Sequence, residues 1–167
     1  MPAEQLLERL MNDYGDALLR MCCLYLKDYQ LAEDAVQETF IKAMKSYGTF
    51  KHQSSEKTWL IRIAVNCCKN VMRSRWFGIT RNNLKDSAEA AGEDPVNALL
   101  ERDSVSAAVM RLKEGDRKVL VLYYYQELSV REISAVIGKT ENAVMQRLNR
   151  ARGNMKKMLE EIGYERG

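Results

Sequence analysis

Apolar residues recur every three to four positions along almost the whole 167-residue chain, and no stretch sustains the strict alternation of a half-buried strand. That periodicity predicts an all-α protein. It fails in one place. Residues 77–97 combine Gly78, Gly92 and Pro95 with Asn, Asp, Ser and Glu and carry no apolar stripe, so they read as a flexible linker between two small helical domains, 1–76 and 98–167. A tether of this kind spans about 25 Å on average and about 70 Å at full stretch, enough to place the two halves on separate sites of one partner.

Composition narrows the function. With 46% hydrophobic and 29% charged residues and no apolar run near the roughly 20 residues of a bilayer crossing, the chain reads as soluble, ordered and not inserted in a membrane. Glu4 and Glu8 stand where a secretory leader would be basic and then apolar, so a cytoplasmic location is expected. His52 is the single histidine, and no Ser-His-Asp set, paired metal ligands or glycine-rich phosphate loop is present. Hydrolase, metalloenzyme and nucleotide-binding readings therefore lack their residues, and no catalytic residue, metal ligand or cofactor is assigned. The cysteines form adjacent pairs, Cys22-Cys23 and Cys67-Cys68, without the two-residue gap that lets thiolates converge on zinc; buried free thiols are favoured over a metal or redox site.

The net charge of +3 says little, but its distribution is blocked. Residues 28–38 hold four acids and no base, 57–85 seven bases and no acid, 86–103 six acids against Arg102, and 139–157 six bases against Glu141. Two cationic stretches separated by an acidic one suit two nucleic-acid contacts joined by a connector, although for any single block alone a solvated helix face is the better reading.

In the first half, residues 6–26 read as one or two helices, and Asp28 can cap a helix over about 31–46. Ala32, Val36, Phe40, Ala43 and Met44 form its apolar stripe, while Glu33, Asp34, Gln37 and Glu38 leave an acidic, hydrogen-bonding surface. A loop over 50–57 precedes a helix from about 58 to 75, which buries Leu60, Ile63, Ala64, Cys67 and Val71 and presents Arg62, Asn66, Lys69 and Arg73 opposite them. Three cations around an amide on one face combine phosphate neutralisation with a hydrogen bonder for base edges.

In the second half, 96–112 and 116–126 read as helices. Ser129 and Glu132 have capping-box spacing ahead of a short helix carrying Ile133, Val136 and Ile137, Gly138 suits the left-handed turn that ends it, and Thr140 can cap the next. That last helix buries Val144, Leu148, Ala151 and Met155 and exposes Asn142, Met145, Gln146, Asn149 and Arg150, with Lys156 and Lys157 further along. A short helix, a glycine turn and a polar, basic second helix are the parts of a helix-turn-helix, whose second helix enters the major groove.

Four segments, 32–40 (AEDAVQETF), 58–66 (TWLIRIAVN), 128–133 (LSVREI) and 147–152 (RLNRAR), resemble in order and spacing the extracytoplasmic-function sigma factors, a subfamily of the sigma-70 family of bacterial RNA polymerase sigma factors. The resemblance spans nearly the whole chain, with departures from the family pattern at Glu141, Ala143 and Met145. It implies a promoter-specificity subunit without a catalytic site of its own, built from a region 2 helical bundle (1–76), a linker (77–97) and a region 4 helix-turn-helix (98–167).

By the same resemblance, Glu33, Asp34, Gln37 and Glu38 would dock on the β′ clamp helices of core RNA polymerase, with the β subunit as a further contact. Arg62, Asn66, Lys69 and Arg73 would bind the −10 element, and the loop 50–57, ending near Trp59, would capture a base flipped from the non-template strand; Trp59 serves equally as a core anchor. Met145, Gln146, Asn149 and Arg150 would read −35 bases, with Thr140, Arg147, Lys156 and Lys157 on phosphates. With neither an N-terminal inhibitory extension nor an added C-terminal domain in the sequence, control is expected from an anti-sigma factor. The competing reading is a free-standing helix-turn-helix regulator that binds DNA without polymerase; it explains the second basic block and leaves the first unexplained.

Overall fold

The computed structural model describes residues 2–82 and 104–163, with side chains described for 2–74 and 105–163. Among these residues every regular element is helical: α1 (Ala3–Leu26), α2 (Tyr29–Ser46), a 3-10 turn (Tyr47–Thr49), α3 (Glu56–Asn82), α4 (Ser104–Arg111), α5 (Glu114–Leu120), a π-helical turn (Val121–Tyr125), α6 (Val130–Ile137) and α7 (Glu141–Ile162).

Local chemistry sets the helix ends. Lys27, in the left-handed region at φ 62°, closes α1 by donating its N–H to the Cys23 carbonyl at 2.8 Å. Asp28 is extended, and its Oδ1 accepts the Leu31 N–H at 2.9 Å, so α2 starts at once and folds back on α1. At α3 the Ser55 Oγ accepts the Thr58 N–H at 3.0 Å.

Helices α1, α2 and α3 bury Leu10, Leu18, Met21, Leu24, Phe40, Leu60, Ile61 and Val65 between them. Each such side chain contributes about 1.5–3 kcal/mol of hydrophobic stabilisation. All four cysteines are buried free thiols, with the Cys22 and Cys68 sulfurs 3.5 Å apart. The Cys68 contact, then burial, push the Cys22 thiol well above its usual range.

Several sequence boundaries move. The helix expected over 58–75 begins at Glu56, so Glu56 and Lys57 are helical and not loop, and it continues to Asn82, through six residues assigned to the linker. The remainder of the linker, and the start of the helix expected from 96, lie outside the described residues. The helix expected over 116–126 starts at Glu114 and widens into the π turn, where the Gln126 N–H reaches the Val121 carbonyl five residues back at 3.1 Å.

The two halves pack together through one continuous apolar cluster. Polar contacts span the joint: the Gln126 Nε2 donates to the Ala17 carbonyl at 3.0 Å, and the Tyr25 hydroxyl to Glu114 at 3.1 Å. Arg117, 5% exposed, reaches the Tyr25 carbonyl at the free end of α1 with its Nε and Nη2, at 3.2 and 2.8 Å, and the Leu112 carbonyl with Nη1 at 2.7 Å. One guanidinium thereby satisfies a helix C-terminal carbonyl that the helix itself leaves without a donor.

Candidate nucleic-acid interface

The apolar period of α3 turns Leu60, Ala64 and Cys67 into the bundle and leaves Arg62, Asn66, Lys69 and Arg73 exposed along the opposite face, as the spacing predicts. None of the three cations forms an ion pair with another described residue. Their charge is available to phosphate.

At the start of α3 the chain builds an aromatic stack. Phe50 lies parallel to Trp59 with ring centroids 4.5 Å apart and 17° between planes, His52 rests on Phe50 at 4.2 Å, and Tyr47 meets Trp59 edge-on at 5.7 Å. His52 takes a left-handed backbone, φ 56°, which folds its ring back over Phe50. Trp59 is half-buried, and residues 51–55 are exposed.

Beside the stack, Glu56 collects four donors: Arg9 Nη1 at 2.9 Å and Tyr14 Oη at 3.0 Å on Oε1, and Arg9 Nη2 at 2.8 Å and Tyr47 Oη at 2.7 Å on Oε2. The paired guanidinium, with the two hydroxyls, holds the Glu56 carboxyl down at about 2. The same contacts raise the Arg9 and Tyr47 values, and burial, then the Glu56 bond, raises that of Tyr14. Sequence reasoning missed this cluster, because no periodicity links Arg9 to a residue 47 positions on.

The second surface is the turn between α6 and α7. Ser129 and Glu132 form a complete capping box, Gly138 ends α6 at φ 72°, and Thr140 accepts the Ala143 N–H at 3.1 Å to start α7. Val144, Leu148 and Ala151 anchor α7, so Met145, Gln146, Arg147, Asn149 and Arg150 face solvent near its N-terminal end, with Lys156 and Lys157 further along. Two of them have internal partners. The Arg147 guanidinium lies against Gly115, in the space a Cβ would take, and 4.0 Å from Asp116; the Asn149 Oδ1 accepts from Arg152 Nη1 at 3.3 Å. Arg152 itself rests on the Tyr123 and Tyr124 rings and donates to the Tyr124 hydroxyl at 2.9 Å.

The acidic and amide residues of α2 divide along its ridge. Glu33 and Gln37 border an apolar groove against α1 that includes Met11 and Ile41, whereas Asp34 and Glu38 border a polar one against α3 that includes Asn70 and Ser74. Glu38 is also 3.4 Å from Lys42, one turn along.

In this packing the two surfaces adjoin. Lys57 donates to the Gln126 carbonyl at 2.9 Å and the Thr58 hydroxyl to Glu132 at 3.0 Å, so the start of α3 is held by the segment that opens the helix-turn-helix. Burial, then the charge of Lys69, lower the Lys118 ammonium; Glu114 opposes the shift and Arg147 adds to it. Among the described residues no group of three or more His, Cys, Asp or Glu is arranged to hold a metal, and no helix is long and apolar enough to cross a membrane.

Comparison with known proteins bears on both surfaces. Residues 10–78 match the family described as Sigma-70 region 2, and residues 102–155 the family described as Sigma-70, region 4. The RNA polymerase sigma-H factor of Pseudomonas aeruginosa is 32% identical over 166 residues, covering 92% of this chain and 86% of that protein. The RNA polymerase sigma factor YlaC of Bacillus subtilis is 28% identical over 156 residues, covering 90% of each. Among solved structures, CnrH in complex with the cytosolic domain of CnrY is similar with a TM-score of 0.71 at 25% identity, covering 95% of this chain and 90% of that one.

Proposed function

The chain belongs to the extracytoplasmic-function subfamily of the sigma-70 family, and from that premise we propose that it directs bacterial core RNA polymerase to specific promoters and assists DNA opening, using the residues assigned below. The observation that carries the reading is the pair of exposed basic faces, one on α3 and one on α7, each raised on its own helical scaffold. It acts in the cytoplasm as a transcription initiation factor; phosphodiester chemistry belongs to the polymerase.

Arg62, Lys69 and Arg73 neutralise phosphates around the −10 element, and Asn66 offers an amide to base edges. The Phe50–Trp59 stack supplies the face for an unstacked base. Stacking such a base offsets the few kcal/mol lost when it leaves the duplex, which couples strand opening to sequence without ATP. On α7, Met145, Gln146, Asn149 and Arg150 read the −35 element, while Thr140, Arg147, Lys156 and Lys157 hold its backbone. Release of Asp116 frees Arg147 for phosphate. Glu33, Asp34, Gln37 and Glu38 dock on the β′ clamp helices, where opposite charge favours rapid, oriented association; the second half engages the β subunit.

Elements centred about 25 base pairs apart lie about 85 Å apart along B-DNA. The adjoining arrangement of the two readers cannot span that distance, so the halves part on the promoter, and Lys57 and Thr58 release Gln126 and Glu132. The packed form is then the free or sequestered state. An anti-sigma factor is the expected partner of that state; the similar CnrH is solved in complex with the cytosolic domain of CnrY. The bipartition into 1–76, 77–97 and 98–167 is retained for function, with helix α3 continuing past residue 76.

DNA binding with and without core polymerase tests this directly. Specific promoter recognition only in the presence of core is expected; tight, specific binding by the protein alone would instead establish a free-standing regulator.

A further inference from the structure

Loop 50–55 has little burial to order it: residues 51–55 are exposed, and Phe50 is half-buried. What fixes it is polar and lies at its two ends. Tyr47, on the incoming side, and Glu56, on the outgoing side, are joined by the 2.7 Å Tyr47 Oη–Glu56 Oε2 bond, and Arg9 and Tyr14 tie the same carboxylate to α1. Four donors fill the approximate four acceptor positions of one carboxylate. The Tyr47 ring then meets Trp59 edge-on, Trp59 stacks on Phe50, and Phe50 on His52. An unbroken series of contacts therefore runs from the Glu56 carboxylate to the exposed end of the stack.

We propose that Glu56 is the positioning residue for base capture: through Arg9, Tyr14 and Tyr47 it holds both ends of the loop and sets the plane of Trp59, so that an unstacked base meets an aromatic face already in place. An incoming base either extends the stack beyond His52 or replaces Phe50 on Trp59, and both outcomes need that plane fixed. A preset loop loses less freedom on binding than a mobile one. The carboxylate never touches the base and contributes no sequence information of its own. A helix start already capped by Ser55 has no need of a second capping group, so the convergence of α1, the 3-10 turn and α3 on Glu56 calls for another role. This proposal rests on the base-capture reading above.

The test uses holoenzyme reconstituted with core polymerase and a single-stranded oligonucleotide carrying the −10 sequence selected from a random library, together with the set in which each base in turn is replaced by an abasic site. The unaltered protein should lose about tenfold or more in affinity at one abasic position, in keeping with the worth of one stacked base. Glu56→Gln keeps the side-chain size and removes the charge that holds Arg9; Tyr47→Phe keeps the ring and removes one bond. In both, the loss at that position should shrink to about threefold or less, while core affinity and −35 duplex binding stay within about twofold. A purely structural role would weaken all binding alike and preserve the ratio. If both variants keep the full ratio, Glu56 does not position the platform. If the unaltered protein shows no sensitive position, base capture itself fails and this proposal falls with it. Should Glu56→Gln not fold, the Tyr47→Phe ratio decides alone.

Discussion

The Arg117 guanidinium of α5 donates twice to the Tyr25 carbonyl at the end of α1, 92 residues away in sequence. The bond joins the half that carries the basic face of α3 to the half that carries the basic face of α7. Arg117→Ala leaves the Tyr25 and Leu112 carbonyls without their charged donor and should weaken the packed form by about 2–3 kcal/mol. Small-angle scattering should show a larger radius of gyration with unchanged helical circular dichroism. An unchanged radius with lost helix content would mean that Arg117 supports one half and not the joint.

On α7, the proposed base readers and the proposed phosphate contacts are separable by specificity. Arg150→Ala should cost about 1–3 kcal/mol on a matched −35 site and little on a scrambled one, whereas Lys157→Ala should weaken both equally and flatten the salt dependence. Holoenzyme titrations on the two templates at several salt concentrations check this. Equal losses for Arg150→Ala on both sites would remove it from the reading set.

For polymerase docking, Asp34→Arg combined with Glu38→Arg reverses charge on the polar flank of α2 without touching its buried stripe. Co-purification with core should be abolished at unchanged helix content. Retained co-purification would place the docking surface elsewhere, with the Glu33–Gln37 flank and its Met11–Ile41 groove the next to test.

The Glu56 cluster carries an acid signature. Its carboxyl is lowered from 4.5 to about 2, with Arg9, Asp13, Tyr14 and Tyr47 the ionisable groups that set it or face its partner. A depressed carboxyl contributes stability that is full above the unfolded value and fades as pH falls through the folded one. With the Arg9 side chain 35% exposed, solvent screening reduces the contribution to about 2 kcal/mol. Urea unfolding should show that advantage over Glu56→Gln from pH 7 to about pH 4.5, and about half of it near pH 3. A gap that stayed constant through this window would show that packing, not charge, holds the cluster.

Helix identity and facing were legible from local pattern. The Asp28, Ser129 and Thr140 caps, the Gly138 turn and the exposure of Arg62, Asn66, Lys69 and Arg73 follow from spacing within one helix or one turn, which the structure has no reason to override. What escaped depends on contacts between distant segments. Glu56 gains its role from Arg9, and no local rule pairs them. The π turn shifts the Tyr123–Tyr125 register against a periodicity that assumes 3.6 residues per turn. The joint between the halves left one readable trace: Arg117 sits one turn from Leu120 and Val121 on the apolar face of α5, and a cation there marks a buried partner for its charge. A composition-based linker says how far two halves can separate, but nothing about whether they pack.

Transcription from a random promoter library with reconstituted polymerase tests the central claim most directly. With core and this protein together, the transcribed templates should share two short motifs at a fixed spacing, and Asn66→Ala should erode the downstream motif while Arg150→Ala erodes the upstream one. Transcript yield no greater than that of core alone, or a single motif selected equally well by the protein without core, would contradict it.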